Sequence, residues 1–196
     1  DYRIPKTLKD NLEEYKFLKE LNADLAVVCA YGQIIPKNFL NLTKKGFVNI
    51  HASILPSWRG AAPIQRSIMN LDPETGISIM KMNEELDSGP ISNIYKIKIG
   101  KNQNAQEISE KLSTLAAEKI LGNVDDILED KAKFIDQDHS KATYAKKIHK
   151  DESQIDWDGD ASKIIGKING LFPSPGASFI FNNERYKILK AEIGTG

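Results

Sequence analysis

Phe47-Val48-Asn49-Ile50-His51-Ala52-Ser53-Ile54-Leu55-Pro56-Ser57-Trp58-Arg59-Gly60 joins an alternating apolar run to a loop with proline and glycine. It opens as a strand. Strand side chains alternate, so Val48 and Ile50 point one way while Asn49 and His51 share the other face. An amide beside an imidazole offers hydrogen-bond donors and a group that exchanges protons near neutral pH. Leu55-Pro56 cannot extend a central ladder, because proline has no N–H to give, and the chain runs on to Gly60. Open α/β sheets place their sites where strands end in such loops. Taken alone, a histidine at a strand end reads as a hydrogen-bonded structural residue more readily than as a catalyst.

Working outward toward the start of the chain, residues 8–21 read as an amphipathic helix. Leu8, Leu12, Tyr15, Leu18 and Leu21 recur at spacings of three and four, and Thr7 is the expected N-cap. The apolar run 24–30 reads as a parallel strand covered on both faces. Tyr31-Gly32-Gln33-Ile34-Ile35 is then a loop at its carboxyl end, Pro36 opens a short helix to Leu42, and Lys44-Lys45-Gly46 turns into the strand 47–51. This rhythm predicts a βαβ unit.

Beyond Gly60, a helix is predicted over 61–71, with Pro63 in its first turn, followed by a turn at 72–76 and a strand over 77–82. The acidic loop 83–90 leads into a strand over 91–99, and the short connection predicts a hairpin. One antiparallel element thus joins a Rossmann-like, mainly parallel sheet in an α/β fold. Residues 105–130 form the longest helical run, which Gly122 kinks or divides. Domain organisation reads as a catalytic unit over 1–130 and a polar linker over 131–158. The start of a further domain follows over 159–196, with a helix at about 160–170 and strands at 178–181 and 185–192. That last piece is too small for a core of its own.

The composition narrows the function classes. The chain has 196 residues, 40% hydrophobic and 28% charged, so a packed core is expected. Its 27 basic and 27 acidic residues give no net charge, so any nucleic-acid surface would have to be a local basic face. Cys29 is the single cysteine. It reads as a small buried core residue, excludes an internal disulfide and fits a reducing compartment. No apolar stretch approaches the roughly 20 residues that span a bilayer, and no signal peptide is visible, so no membrane partner is expected and the expected location is cytoplasmic. The opening Asp1-Tyr2-Arg3, without an initiator Met, reads as a fragment or processed product.

The sequence holds no Gly-rich phosphate loop, no metal-ligand cluster and no Ser-His-Asp spacing; no metal is expected. His139 and His149 sit in the polar linker and read as solvated. What remains is Asn49, His51 and an acid. The acidic loop offers Glu84, Glu85 and Asp87, and Asp87 precedes Ser88-Gly89-Pro90, whose backbone can turn tightly against a ligand. A carboxylate beside an imidazole favours the charged ring and orients it.

Asn49 through Arg66, with its Trp58-Arg59-Gly60-Ala61-Ala62-Pro63-Ile64-Gln65 core, resembles the signature of the formyltransferases that use 10-formyltetrahydrofolate. Leu86-Asp87-Ser88-Gly89 resembles their second motif. Tyr31 to Pro36, Ile155-Asp156-Trp157 and Pro173-Ser174-Pro175-Gly176-Ala177 are similar to the branch that formylates methionyl initiator tRNA. The resemblance implies transfer of a formyl group to the α-amino group of that tRNA's methionine, in translation initiation. It implies catalytic roles for Asn49, His51 and Asp87, with Ser53 serving loop geometry. It implies a folate site at Gln33, Ile34, Ile35, Ser53, Leu55, Pro56, Met82, Asn83, Glu84, Glu85 and Leu86, and a cis peptide at Leu55–Pro56. Arg59, Lys81, Lys146 and Lys147 are candidate tRNA contacts, with solvated surface charge the equal alternative.

The family's opening strand, helix and tRNA-contacting loop have no counterpart here, and its β-barrel-like C-terminal domain is only begun. The expectation is therefore a central fragment that keeps weak folate binding and loses specific initiator-tRNA binding. Edge-mediated association is expected of the fragment, and a monomer of the full-length enzyme. The rival readings are an N-formyltransferase acting on a sugar nucleotide or glycinamide ribonucleotide, and an inactive fragment or binding module.

Overall fold

The computed structural model describes residues 2–194. Its centre is a four-stranded sheet in the order β1 (Ala26–Cys29), β2 (Phe47–His51), β4 (Glu74–Lys81), β5 (Ile91–Lys98). β1 and β2 are parallel, with Val28 opposite Asn49. β4 runs antiparallel to β2, with His51 opposite Ser78, and β5 is antiparallel to β4. The α/β class and the hairpin stand, but the sheet is mixed rather than mainly parallel. The reason lies in the connection after β2. It holds the two-residue β3 (Arg59–Gly60) and α3 (Pro63–Met69), and seven helical residues advance only about 10 Å. The chain therefore re-enters the sheet from the edge it left and runs back beside β2.

Helices cover both faces. On one, Ile68 of α3 and Ala105, Ile108, Leu112 and Ala116 of α4 (Ala105–Leu128) bury Ile77 and Ile50. On the other, α1 (Leu12–Glu20) and α2 (Lys37–Leu40) contribute Tyr15, Phe39 and Leu40, which pack on Val28 and Phe47. Phe47 thus belongs to one core and Ile50 to the other, as alternation along β2 demands. β1 is covered on one face only: Val27 is 45% exposed and Cys29 is exposed, against the expectation of a strand and a cysteine buried on both sides.

Local signals account for several boundaries. Asn11, not Thr7, caps α1, accepting the Glu14 N–H, while Thr7 accepts from Lys9 N–H one turn earlier. Asn104 and Glu107 form a reciprocal capping box on α4, which runs unbroken through Gly122. β4 starts at Glu74, inside the expected turn, because Glu74 to Gly76 find ladder partners in Lys98 to Lys96.

The stretch expected as a linker is packed against the sheet. Ile135 exchanges both backbone hydrogen bonds with Ile91, and β6 (Tyr144–Ala145) pairs in parallel with β3. Arg66 of α3 grips the Glu152 carboxylate at 2.6 and 3.0 Å, and the guanidinium holds that carboxyl below its usual range. α5 (Ala161–Leu171) packs beside α3, and the hairpin β7 (Ser178–Phe181) and β8 (Glu184–Lys187) follows. Ile155, Ile168, Leu171 and Ala177 form a small buried cluster that packs on Met69 of α3.

Candidate functional site

β2 delivers Asn49 and His51 to one face at the carboxyl edge, two residues apart and thus about 6–7 Å along the strand. The loop after it is stitched down by Ser78 of β4. Its buried Oγ donates to Ser53 O at 2.7 Å and accepts the Leu55 N–H at 3.1 Å. Leu55–Pro56 is cis, as expected. The loop then turns at Trp58, whose φ of +63° is left-handed. Trp58 is held there from three sides. Its indole N–H donates to Asp72 at 2.7 Å, its backbone N–H donates to Thr143 Oγ1 at 2.9 Å, and its carbonyl meets His51 Nε2 at 2.9 Å.

That last contact assigns the ring. A carbonyl oxygen only accepts, so Nε2 carries a hydrogen and Nδ1 is the nitrogen left for chemistry. Nδ1 lies 3.6 Å from Asp87 Oδ2. His51 is 6% exposed, so the pair interacts in a medium far less screening than water. Asp87 is anchored as well: Oδ2 accepts the Gly60 N–H at 2.8 Å, from a backbone at φ +47°. Gly60 is required on two counts. Its φ is +119°, and a Cβ there would stand 2.8 Å from Ala145 O. Gly89, two residues past Asp87, likewise leaves no room for a side chain, because a Cβ would collide with Lys81 O. Asn49 is partly buried, and its amide has no hydrogen-bond partner among the described residues, leaving it free to donate.

Chemically, this is one donor amide, one imidazole with a defined working nitrogen and one oriented carboxylate. It can stabilise an oxyanion and move a proton. No group of three His, Cys, Asp or Glu placed to hold a metal occurs among the described residues, and no helix among them is long and apolar enough to cross a membrane.

Residues 5–124 match the family model described as formyl transferase, and residues 147–196 match that of the formyl transferase C-terminal domain. The chain belongs to the formyl transferase family. The chain is 66% identical over 194 residues to the methionyl-tRNA formyltransferase of Pelagibacter ubique (strain HTCC1062), a match covering 99% of this chain and 63% of that relative. It therefore spans about 63% of the length of that relative. In three dimensions it resembles a 4-N formyltransferase from Francisella tularensis, with a TM-score of 0.77 and 25% identity over 92% of this chain and 76% of the other. A sugar 3N-formyl transferase, solved in the presence of dTDP and 5-N-formyl-THF, gives a TM-score of 0.74 at 22% identity over 88% of this chain and 63% of the other. That second likeness speaks for the fold.

The chain brings His51 and Asp87 together and sets Asn49 on the same strand face as His51. The expected folate residues divide. Gln33 and Ile34 are exposed, Ile34 at 87%, on the loop before α2, and Lys37 at the start of α2 pairs at 2.5 Å with Glu84 of the exposed Asn83 to Leu86 loop. Met82, Asn83 and Glu84 line a cavity of about 430 Å³ with Leu40 and Phe47. Ile35 is buried in the α1/α2 core. Ser53 and Leu55 are fully buried and shape the loop rather than offer a surface, and Pro56 is partly buried in the same turn. The cavity is not lined by Asn49, His51 or Asp87.

One expectation is corrected. Arg59 is 3% exposed and faces inward, so it is unavailable to a tRNA phosphate. His139 is exposed, as expected, and its Nδ1 also accepts from the Arg59 guanidinium at 3.3 and 3.4 Å. Sequence reasoning missed Gln137, a buried amide in the supposed linker that touches both Arg59 and the Asp87 loop. No spacing or motif announces it, because its partners lie about 50 and 78 residues away.

Proposed function

We propose that this chain carries the catalytic centre of a methionyl-tRNA formyltransferase. It transfers the formyl group from N10 of 10-formyltetrahydrofolate to the α-amino group of methionine on initiator tRNA. The observation that carries this reading is the His51–Asp87 pair, at 3.6 Å, held by the Trp58 carbonyl and the Gly60 N–H within a formyl transferase fold. The likeness to the Pelagibacter ubique protein supports methionyl-tRNA as the acceptor.

The amine nitrogen attacks the formyl carbon, and the carbonyl oxygen becomes an oxyanion. The Asn49 amide and a proton on His51 Nδ1 stabilise that charge, preorganised in a partly buried site. The attacking amine must lose a proton and N10 must gain one before the C–N10 bond breaks. Asp87 supports the protonated ring while that proton moves. The products are the N-formylated methionyl-tRNA and tetrahydrofolate, with atoms and charge in balance. The loops at 33–37 and 82–86 receive the folate. Lys146 and Lys147, both exposed, remain candidate tRNA contacts. We assign the catalytic unit to 1–130, with the segment 135–145 packed on it, and assign the protein to the cytoplasm.

The test, run on the full-length protein, is transfer of radiolabelled formyl from 10-formyltetrahydrofolate to methionyl initiator tRNA, with an amino-sugar nucleotide as a second acceptor. Labelled formyl-methionyl-tRNA from wild type, and loss of about 10²–10⁴-fold in His51→Ala, is the expected result. Transfer to the sugar nucleotide alone would reassign the acceptor. No transfer to either acceptor would remove the enzymatic reading.

A further inference from the structure

The segment 135–145 works as a strap across the two loops that build the site. It is pinned to β5 at Ile135, and at Thr143 by bonds of 2.8–3.2 Å to Pro56 O, Trp58 N and Arg59 N. Between those pins sits Gln137, 6% exposed. Its Nε2 donates to Asp87 O at 2.9 Å and to Gly89 O at 2.7 Å. Its Oε1 accepts from Arg59 Nη2 at 2.7 Å and Nε at 3.1 Å.

We propose that Gln137 is a positioning residue for Asp87, and that Arg59 fixes Gln137 in its working orientation. The proposal rests on the formyl-transfer reading of the same site. A guanidinium only donates and a carbonyl only accepts. Flipping the amide would set NH₂ against the guanidinium and oxygen against two carbonyls, turning four favourable contacts into four repulsive ones. The orientation is therefore imposed by the neighbours.

The strap also spans the right parts. Arg59 follows Trp58, whose carbonyl orients His51, and precedes Gly60, whose N–H binds the Asp87 carboxylate. Gln137 bridges that turn to the backbone of Asp87 and Gly89. It thereby sets the spacing between the loop that anchors His51 and the loop that carries Asp87. Asp87 sits at φ +47°, a conformation a non-glycine residue keeps only where its surroundings over-determine it. The two bonds from Gln137 to residues 87 and 89 supply that constraint.

Gln137→Glu separates holding the fold from positioning the acid. The carboxylate still accepts from Arg59, but it cannot donate to the Asp87 and Gly89 carbonyls. Gln137→Ala removes both links, and Ser140→Ala, whose hydroxyl meets only Asp138 on the strap surface, is the control. Misplacement of a catalytic group by 1 Å can cost about 10²-fold, so Gln137→Glu is expected to stay folded, at a lowered melting temperature, while kcat falls about 10–100-fold. KM for the folate is expected to stay near wild type, and the pH profile of kcat to shift.

Amide hydrogen exchange gives a second readout that needs no turnover. The Gly60 N–H, bonded to Asp87 Oδ2, is expected to exchange about 10-fold faster in Gln137→Glu and unchanged in Ser140→Ala. Wild-type exchange at Gly60 in Gln137→Glu would overturn the positioning role, as would wild-type kcat and pH profile. Absence of turnover in the wild type would instead remove the formyl-transfer reading, and the exchange measurement would still decide for or against the strap.

Discussion

His51 Nδ1 lies 3.6 Å from Asp87 Oδ2, while the other nitrogen of the same ring is occupied by the Trp58 carbonyl at 2.9 Å. The ring therefore has one nitrogen held by the backbone and one that faces the carboxylate. Substitution of the acid should act through that nitrogen. Asp87→Asn keeps the shape and an acceptor for Gly60 N–H but removes the charge. Turnover is expected to fall by about 10²–10⁴-fold with the fold retained, measured by single-turnover formyl transfer and circular dichroism. Turnover near wild type would assign Asp87 to holding the loop alone.

Gly60→Ala combines a left-handed backbone with a Cβ 2.8 Å from Ala145 O. Either β3 separates from β6 or the backbone carries the strain, at a cost of about 1–3 kcal/mol. A lower midpoint in urea and faster exchange at Ala61 N–H, which donates to Ala145 O, are expected.

Ser78→Ala removes the one hydroxyl that both donates to Ser53 O and accepts from Leu55 N–H. Two buried backbone groups lose their partner, at about 1–3 kcal/mol each by the usual cost of an unsatisfied group. Chemical denaturation measures it, and a change within about 0.5 kcal/mol would mean the loop finds other partners.

Glu152 gives a pH signature. The Arg66 guanidinium holds its carboxyl below the ordinary value of 4.5. The stability this adds is fully present above that value and is lost as the pH falls through the lower folded value. Because the pair is partly solvated, the effect is modest. Thermal melts from pH 6 to pH 3 should fall less steeply in Glu152→Gln than in wild type. Equal slopes would show that the pair adds nothing to acid sensitivity.

By itself the sequence determined the β2 strand, the face that Asn49 and His51 share, the turn at Leu55-Pro56 and the helical runs of α1, α3, α4 and α5. These are local: side-chain alternation, helical periodicity and the missing N–H of proline act over a few residues. The motif around Asn49-Ile50-His51 and the Leu86-Asp87-Ser88-Gly89 loop were legible for the same reason, each being a short contiguous text. Only the tertiary structure decided the direction of β4, since apolar runs do not record which edge the chain re-enters. It alone exposed Val27 and Cys29, because a run of apolar residues does not say whether both faces have a neighbour. It alone turned Arg59 inward and drew Gln137 across the two loops. Those contacts join residues 48 to 78 positions apart, and their energy comes from burial and from matching donors to acceptors in space, a relation that no spacing along the chain encodes.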